Sequence, residues 1–173
     1  PGYDAEGAFS PDGSRICFTS NRDGDLEIYT MAVDGSDARR VTNSKGYDGG
    51  PFYSPDGKKI CFRGFRDPAN PRNAQIYVVD ADGTNELQLT DTPRANWCPY
   101  WHPSGEYLVF SANVGDHRNF ELFLVPAKGG KQIQITTDIG ADVLPVFSPD
   151  GKKLMWTSTR ETGKSQVFIA DFT

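Results

Sequence analysis

The stretch that decides the fold is residues 9–35, FSPDGSRICFTSNRDGDLEIYTMAVDG, in which two apolar runs are bounded by turn sequences. Its opening, Ser10-Pro11-Asp12-Gly13, returns as Ser54-Pro55-Asp56-Gly57 and Ser148-Pro149-Asp150-Gly151, with His102-Pro103-Ser104-Gly105 as a looser copy. Pro pre-sets one dihedral of a tight turn and Gly takes the positive one, so the motif joins two strands rather than carrying chemistry. The turns recur at periods of 44, 48 and 46 residues. Periods in the mid-forties suit propeller blades of four short strands.

Each repeat carries the same elements. Strand A ends at the turn, and strand B follows it (Ile16–Thr19, Ile60–Arg63, Leu108–Ser111, Leu154–Thr157). Strand C reads acid or amide, aliphatic, aromatic: Glu27-Ile28-Tyr29, Gln75-Ile76-Tyr77, Glu121-Leu122-Phe123, Gln166-Val167-Phe168. A short strand D ends at Val41-Thr42, Leu89-Thr90 and Ile135-Thr136. Runs such as Ile16-Cys17-Phe18 are apolar on both faces, so each sheet is covered twice, as it is when blades stand around an axis. The chain therefore reads as an all-β propeller, a single domain over 1–173 with units at approximately 1–46, 47–94, 95–140 and 141–173.

The bulk properties agree. Gly 18, Pro 12 and 12% aromatic residues suit a turn-rich β chain, and no run is long enough for a membrane span. A net charge of −5 argues against a nucleic-acid partner, which needs a concentrated basic surface. Cys17 and Cys61 share a slot occupied elsewhere by Val109 and Met155, and read as small buried hydrophobes; with Cys98 they show no zinc-ligand spacing.

Spacing separates scaffold from variable surface. From the strand C aromatic to the next glycine, to the strand D threonine and to the next turn, the counts are fixed at six, seven and twelve. From the turn glycine to the aromatic they run 16, 20, 18 and 17, so every insertion lies in the B–C hairpin, the place for a binding surface. These hairpins share a rim with the D–A connectors and the channel mouth. On that rim, six residues before each turn, lie Asp4, Asp48, Asn96 and Asp142; twelve after it lie Arg22, Arg66, Val114 and Arg160. They read either as a charged ring for a polar ligand, peptide or cation, or as pairs between neighbouring blades that fix register. Asn96 and Val114 depart together, in one unit. Trp97 in a connector and His117 in the third hairpin complete the candidate binding set.

Ser-Pro-Asp-Gly, a strand, Asn21-Arg22-Asp23-Gly24, Glu27-Ile28-Tyr29, Asp34-Gly35 and Arg40-Val41-Thr42 together resemble the TolB-type propeller repeat, over almost the whole chain. The resemblance implies a periplasmic or secreted, non-catalytic scaffold whose channel-mouth face holds a protein or peptide. A second reading is an accessory propeller that gates substrate for a peptidase or carbohydrate-active enzyme. Catalysis has little support: two histidines, His102 and His117, no Gly-x-Ser-x-Gly elbow, no phosphate loop and no zinc helix. No cofactor is expected; a calcium-stabilised module is a third reading, although Asn21–Asp25 fits a hairpin turn better than a calcium loop. The fourth unit stops after strand C and residues 1–7 match the connector before strand A, so the last blade is expected to lack its outer strand. Three arrangements follow: a fragment of a larger ring, a small closed ring, or arcs that pair as a homodimer through exposed apolar faces.

Overall fold

The computed structural model describes residues 2–115, 118–161 and 163–173. Fifteen strands form four antiparallel sheets with neighbours in sequence order. The first contains β1 (Asp4–Phe9), β2 (Arg15–Ser20), β3 (Glu27–Ala32) and β4 (Arg39–Arg40); the second β5 (Tyr47–Tyr53), β6 (Lys59–Phe65), β7 (Gln75–Asp80) and β8 (Leu87–Gln88). The third contains β9 (Asn96–Trp101), β10 (Tyr107–Asn113), β11 (Phe120–Pro126) and β12 (Ile133–Gln134); the last has three strands, β13 (Asp142–Phe147), β14 (Lys153–Ser158) and β15 (Gln166–Asp171). Four propeller blades thus appear where the repeats place them.

The repeated turn is built by its own side chains. Ser10 Oγ donates to Asp12 at 2.6 Å and accepts from Arg15 N at 2.9 Å, while Ser14 N donates back to Asp12 at 3.0 Å. Ser54 with Asp56 and Ser148 with Asp150 repeat this pattern. The Ser10 hydroxyl, aided by Ser14, holds the Asp12 carboxyl down at about 2. Gly13, Gly57, Gly105 and Gly151 close the turns at φ 70, 71, 73 and 72, a region that costs an L side chain roughly 1–2 kcal/mol.

Strand D is shorter than the sequence pattern predicts, ending before the threonine. The reason is that the threonine side chain takes over the ladder. Thr42 Oγ1 accepts from Ile28 N at 2.9 Å and donates to Glu27 at 2.6 Å; Thr90 does the same with Ile76 and Gln75, and Thr136 with Leu122 and Glu121. Strand A, conversely, is longer than predicted and begins at Asp4.

Blades stack by burying one apolar face on the next. Cys17 and Ile28 meet Ile60, Phe62, Tyr77 and Val79; Cys61 and Ile76 meet Leu108, Phe110 and Phe123; Val109 and Leu122 meet Leu154 and Trp156. Cys17 and Cys61 are fully buried, and burial raises both thiols, to about 12 for Cys17, so they behave as core hydrophobes. Packed element pairs join consecutive blades, and among the described residues no closely packed pair joins the first blade to the fourth. The slots that are fully buried at Ile28, Ile76 and Leu122 are therefore open in the last blade, where Val167 is 66% and Ile169 64% exposed.

Candidate functional site at the channel mouth

The rim assignment follows from hydrogen bonds. Asp48 N donates to Leu26 O and Gly46 N to Asp25 Oδ2, while Asn96 N donates to Ala74 O, so each D–A connector is stitched to the B–C hairpin of the preceding blade. On the opposite rim Val33 N donates to Ser14 O, joining C–D and A–B turns.

The charged positions on the first rim pair within blades rather than between them. Arg22 reaches Asp4 at 3.2 Å; Arg66 holds Asp48 through Nε at 3.0 Å and Nη2 at 2.6 Å; Arg160 bonds Asp142. Each guanidinium also lies over the aromatic pair of its own blade: Arg22 over Phe18 and Tyr29 at 5.0 and 4.9 Å, Arg66 over Phe62 and Tyr77 at 5.4 and 4.3 Å, Arg160 over Trp156 and Phe168 at 5.4 and 5.1 Å. Across the blade boundary Arg160 also pairs with Asp138 of the preceding connector, and the strand C acids act by their charge. Burial raises both Asp48 and Glu121, and a carboxylate across the blade boundary adds to it, Glu27 at Asp48 and Asp142 at Glu121.

This explains the third unit. Where Val114 removes the cation, both acids become amides: Gln75 stands for Glu27, Asn96 for Asp48, and Asn96 Nδ2 donates to Gln75 Oε1 at 3.0 Å. Arg94, from the connector, supplies the guanidinium over Phe123 at 5.7 Å. The loss of the cation at Val114 thus goes with the loss of both neighbouring acids, so no carboxylate is left buried there without a partner.

Between the inner strands lies a cavity of about 590 Å³ lined from all four blades, including Glu6, Gly50, Cys98 and Leu144. These four residues are equivalent, each four positions before its turn, and each sits at positive φ (56, 63, 53 and 56) in a register shift of the inner strand. A bulge of this kind re-aims a side chain, here toward the axis. Glu, Gly, Cys and Leu at one repeated position make the lining asymmetric.

Glu6 organises one wall. Its Oε1 accepts from Arg63 Nη2 at 2.6 Å, and its Oε2 accepts from Tyr47 Oη at 2.8 Å and Gly50 N at 2.7 Å. Burial pushes this carboxyl up, but the Arg63 and Tyr47 hydrogen bonds outweigh it and hold the group below its ordinary range. Trp97 stands at the mouth, 37% exposed, with Arg63 over its ring at 4.8 Å and Phe65 edge-on at 5.9 Å. His117 lies outside the described residues. His102 faces the other rim, stacked on Tyr107 at 4.4 Å and bonded to Ser104. Among the described residues no three His, Cys, Asp or Glu side chains form a metal-ligand group, and no helix is long and apolar enough to cross a membrane.

Sequence reasoning placed Trp97 here and missed Glu6, Tyr47 and Arg63. The signal was present: Arg63 interrupts a strand B slot that is Thr19, Ser111 and Thr157 in the other units.

The fold defines a β-propeller whose inner strands line a cavity. The family model PD40, TolB beta propeller domain, matches residues 1–111 and 70–173, and the chain belongs to this family. It is 53% identical over 38 residues to the Tol-Pal system protein TolB of Bordetella pertussis, a stretch covering 22% of this chain and 9% of that protein. The crystal structure of TolB from Acinetobacter baumannii superposes with TM-score 0.77 at 26% identity, over 96% of this chain and 40% of that one. The chain thus spans about two-fifths of that TolB structure. A puromycin-hydrolyzing peptidase of Mycobacterium tuberculosis shares the fold at 15% identity and TM-score 0.75, over 98% of this chain and 30% of that one.

Proposed function

We propose that the chain is a non-catalytic binding scaffold that presents its hairpin rim and channel mouth to a protein or peptide partner, in the periplasm or as a secreted protein. One observation carries this reading: in a repeated scaffold, the bulge position on the axis side holds four different residues, Glu, Gly, Cys and Leu. A repeat needs no such individuality for its own packing, whereas a recognition surface does. Trp97, Phe65 and the stiff 66–73 hairpin offer the anchors. The relation to TolB, named for the Tol-Pal system, supports an envelope partner. The Arg–Asp pairs contribute to this face as its fixed charged border. The accessory-domain reading rests on the peptidase neighbour, whose likeness extends to fold alone.

The test is capture of an envelope protein by the immobilised chain, compared with a rim variant, Trp97→Ala with Phe65→Ala, and an opposite-rim variant, Asp12→Ala. Loss confined to the first variant supports the reading; equal capture by all three removes it. Hydrolysis of peptide or ester substrates by the wild type would favour an enzymatic role.

A second reading concerns assembly. Met155, Val167 and Ile169 leave an apolar face where the other blades are covered, and a second copy that completes a larger ring is its proposed occupant. Sedimentation of wild type against Val167→Lys tests this: a concentration-dependent dimer lost in the variant is expected, and a monomer at all concentrations overturns it.

A further inference from the structure

The second blade departs from the repeat in three places that act together. Arg63 occupies a slot that is Thr19, Ser111 and Thr157 elsewhere, and the inner strand beside it carries Gly49 and Gly50 where the other blades have side chains. The glycines make room for the arginine. A Cβ at Gly50 would stand 2.3 Å from Arg63 Nη1, and one at Gly49 would stand 2.4 Å from Tyr47 Oη and 2.6 Å from Glu6 Oε2. The guanidinium thereby passes from the second strand to the channel.

Three blades of the same fold pack without a charge at this slot, so the architecture does not require one. Burying a guanidinium is costly, and a single ion pair rarely offsets the desolvation. The Arg63 side chain is only 8% exposed. Its described hydrogen bonds, to Glu6 at 2.6 Å and Tyr47 at 2.6 Å, both leave from Nη2, while Nε is buried without a partner. A guanidinium has five N–H donors in a planar fork matched to carboxylate. Here most of that fork is unspent, in a cavity whose remaining wall is apolar: Phe52, Trp97, Phe120 and Leu144.

We propose that this cavity binds a ligand bearing a carboxylate on an apolar or aromatic group, with Arg63 as the anion anchor, Glu6 as the internal acceptor that holds the guanidinium when the cavity is free, and Trp97 and Phe120 as the apolar wall. The proposal rests on the channel-mouth reading above and names the chemistry recognised there. The carboxylate comes either from a free small acid or from an Asp or Glu side chain of a partner segment. In both cases the ligand anion takes donors of Arg63 and its apolar part displaces water from the lining.

The test follows the Arg63 side-chain ¹⁵Nε–¹H resonance during titration with phenylacetate, phenylacetamide, and capped peptides containing Phe-Glu or Phe-Gln. Phenylacetate or the Phe-Glu peptide is expected to shift the resonance and the neutral partner of each to leave it in place. Response to the peptide alone assigns the anion to a partner segment; response to phenylacetate as well assigns it to small acids. Affinities of the variants are read by isothermal titration calorimetry, and Arg63→Thr, the residue of two of the other blades, is expected to weaken binding by about ten-fold or more. Glu6→Gln, which keeps a hydrogen-bond acceptor but removes the competing charge, is expected to tighten it. Equal response to acid and amide, or no response to either acid, overturns the assignment, as does unchanged affinity in both variants. Failure of the carboxylate assignment leaves the rim reading standing, because the Trp97→Ala/Phe65→Ala comparison reads protein capture whether or not an anion enters the cavity.

Discussion

Arg66 holds the fully buried carboxylate of Asp48 with two hydrogen bonds while Glu27 of the preceding blade faces the same carboxylate. Burial pushes Asp48 up to about 6 against this arginine, because desolvation outweighs the pairing. The folded value is above the unfolded one, so the folded state binds the proton more tightly between about pH 4 and pH 6. Stability from this group is therefore present below the unfolded value and lost as pH rises through the folded one. The full difference is on the order of 3 kcal/mol. Wild type should gain stability relative to Asp48→Asn as pH falls from 7 to 4 in urea denaturation. A carboxyl ¹³C titration should place the Asp48 midpoint near 6; a midpoint below 4 would contradict the desolvated state.

Charge balance in the third blade gives a second outcome. Asn96→Asp alone puts a carboxylate into a fully buried site beside Gln75 and Val114, and should cost about 3–5 kcal/mol. Adding Val114→Arg should recover about 1–3 kcal/mol through the new pair. A double-mutant cycle measures the coupling, and additive losses would show that the clusters do not set one another's composition.

Thr42, Thr90 and Thr136 end the outer strands by substituting a hydroxyl for the backbone ladder. Thr42→Val keeps shape but strands the Ile28 N–H and removes a donor from Glu27. A loss of about 1–3 kcal/mol is expected in thermal or urea unfolding. The Ile28 amide should also exchange faster with solvent; protection equal to wild type would count against the latch.

Equivalent slots in different blades should differ in energetic weight. Ile28 is fully buried and Val167 is 66% exposed, although both occupy the same position of strand C. Ile28→Ala should cost about 2–5 kcal/mol and Val167→Ala within about 0.5 kcal/mol. Comparable losses would mean that the last blade is covered in solution.

The scaffold was legible because its residues repeat. The Ser-Pro-Asp-Gly turns, the fixed spacings and the doubly apolar strands each recur, and repetition separates a packing requirement from accident. The blade-internal partner of Arg66 was not readable, since spacing gives the rim and not the direction a guanidinium takes across Phe62 and Tyr77. Glu6 and Arg63 were hidden for the opposite reason. Arg63 is a single departure from its slot and Glu6 one of four unlike residues at the bulge, so a search for what recurs passes over both. The bulge that turns Glu6 toward the axis leaves no local signature, because a register shift arises from how β1 pairs with β2.

The unlike residues at the bulge divide the molecule into recurring and singular parts. Turns recur in all four blades and threonine latches in the first three, so the wall is built from common parts. Glu6, Gly50, Cys98 and Leu144 are not duplicated, and the order in which the four modules follow one another fixes which of them face across the axis. Exchanging these four residues among the blades would leave the wall in place and rearrange its lining.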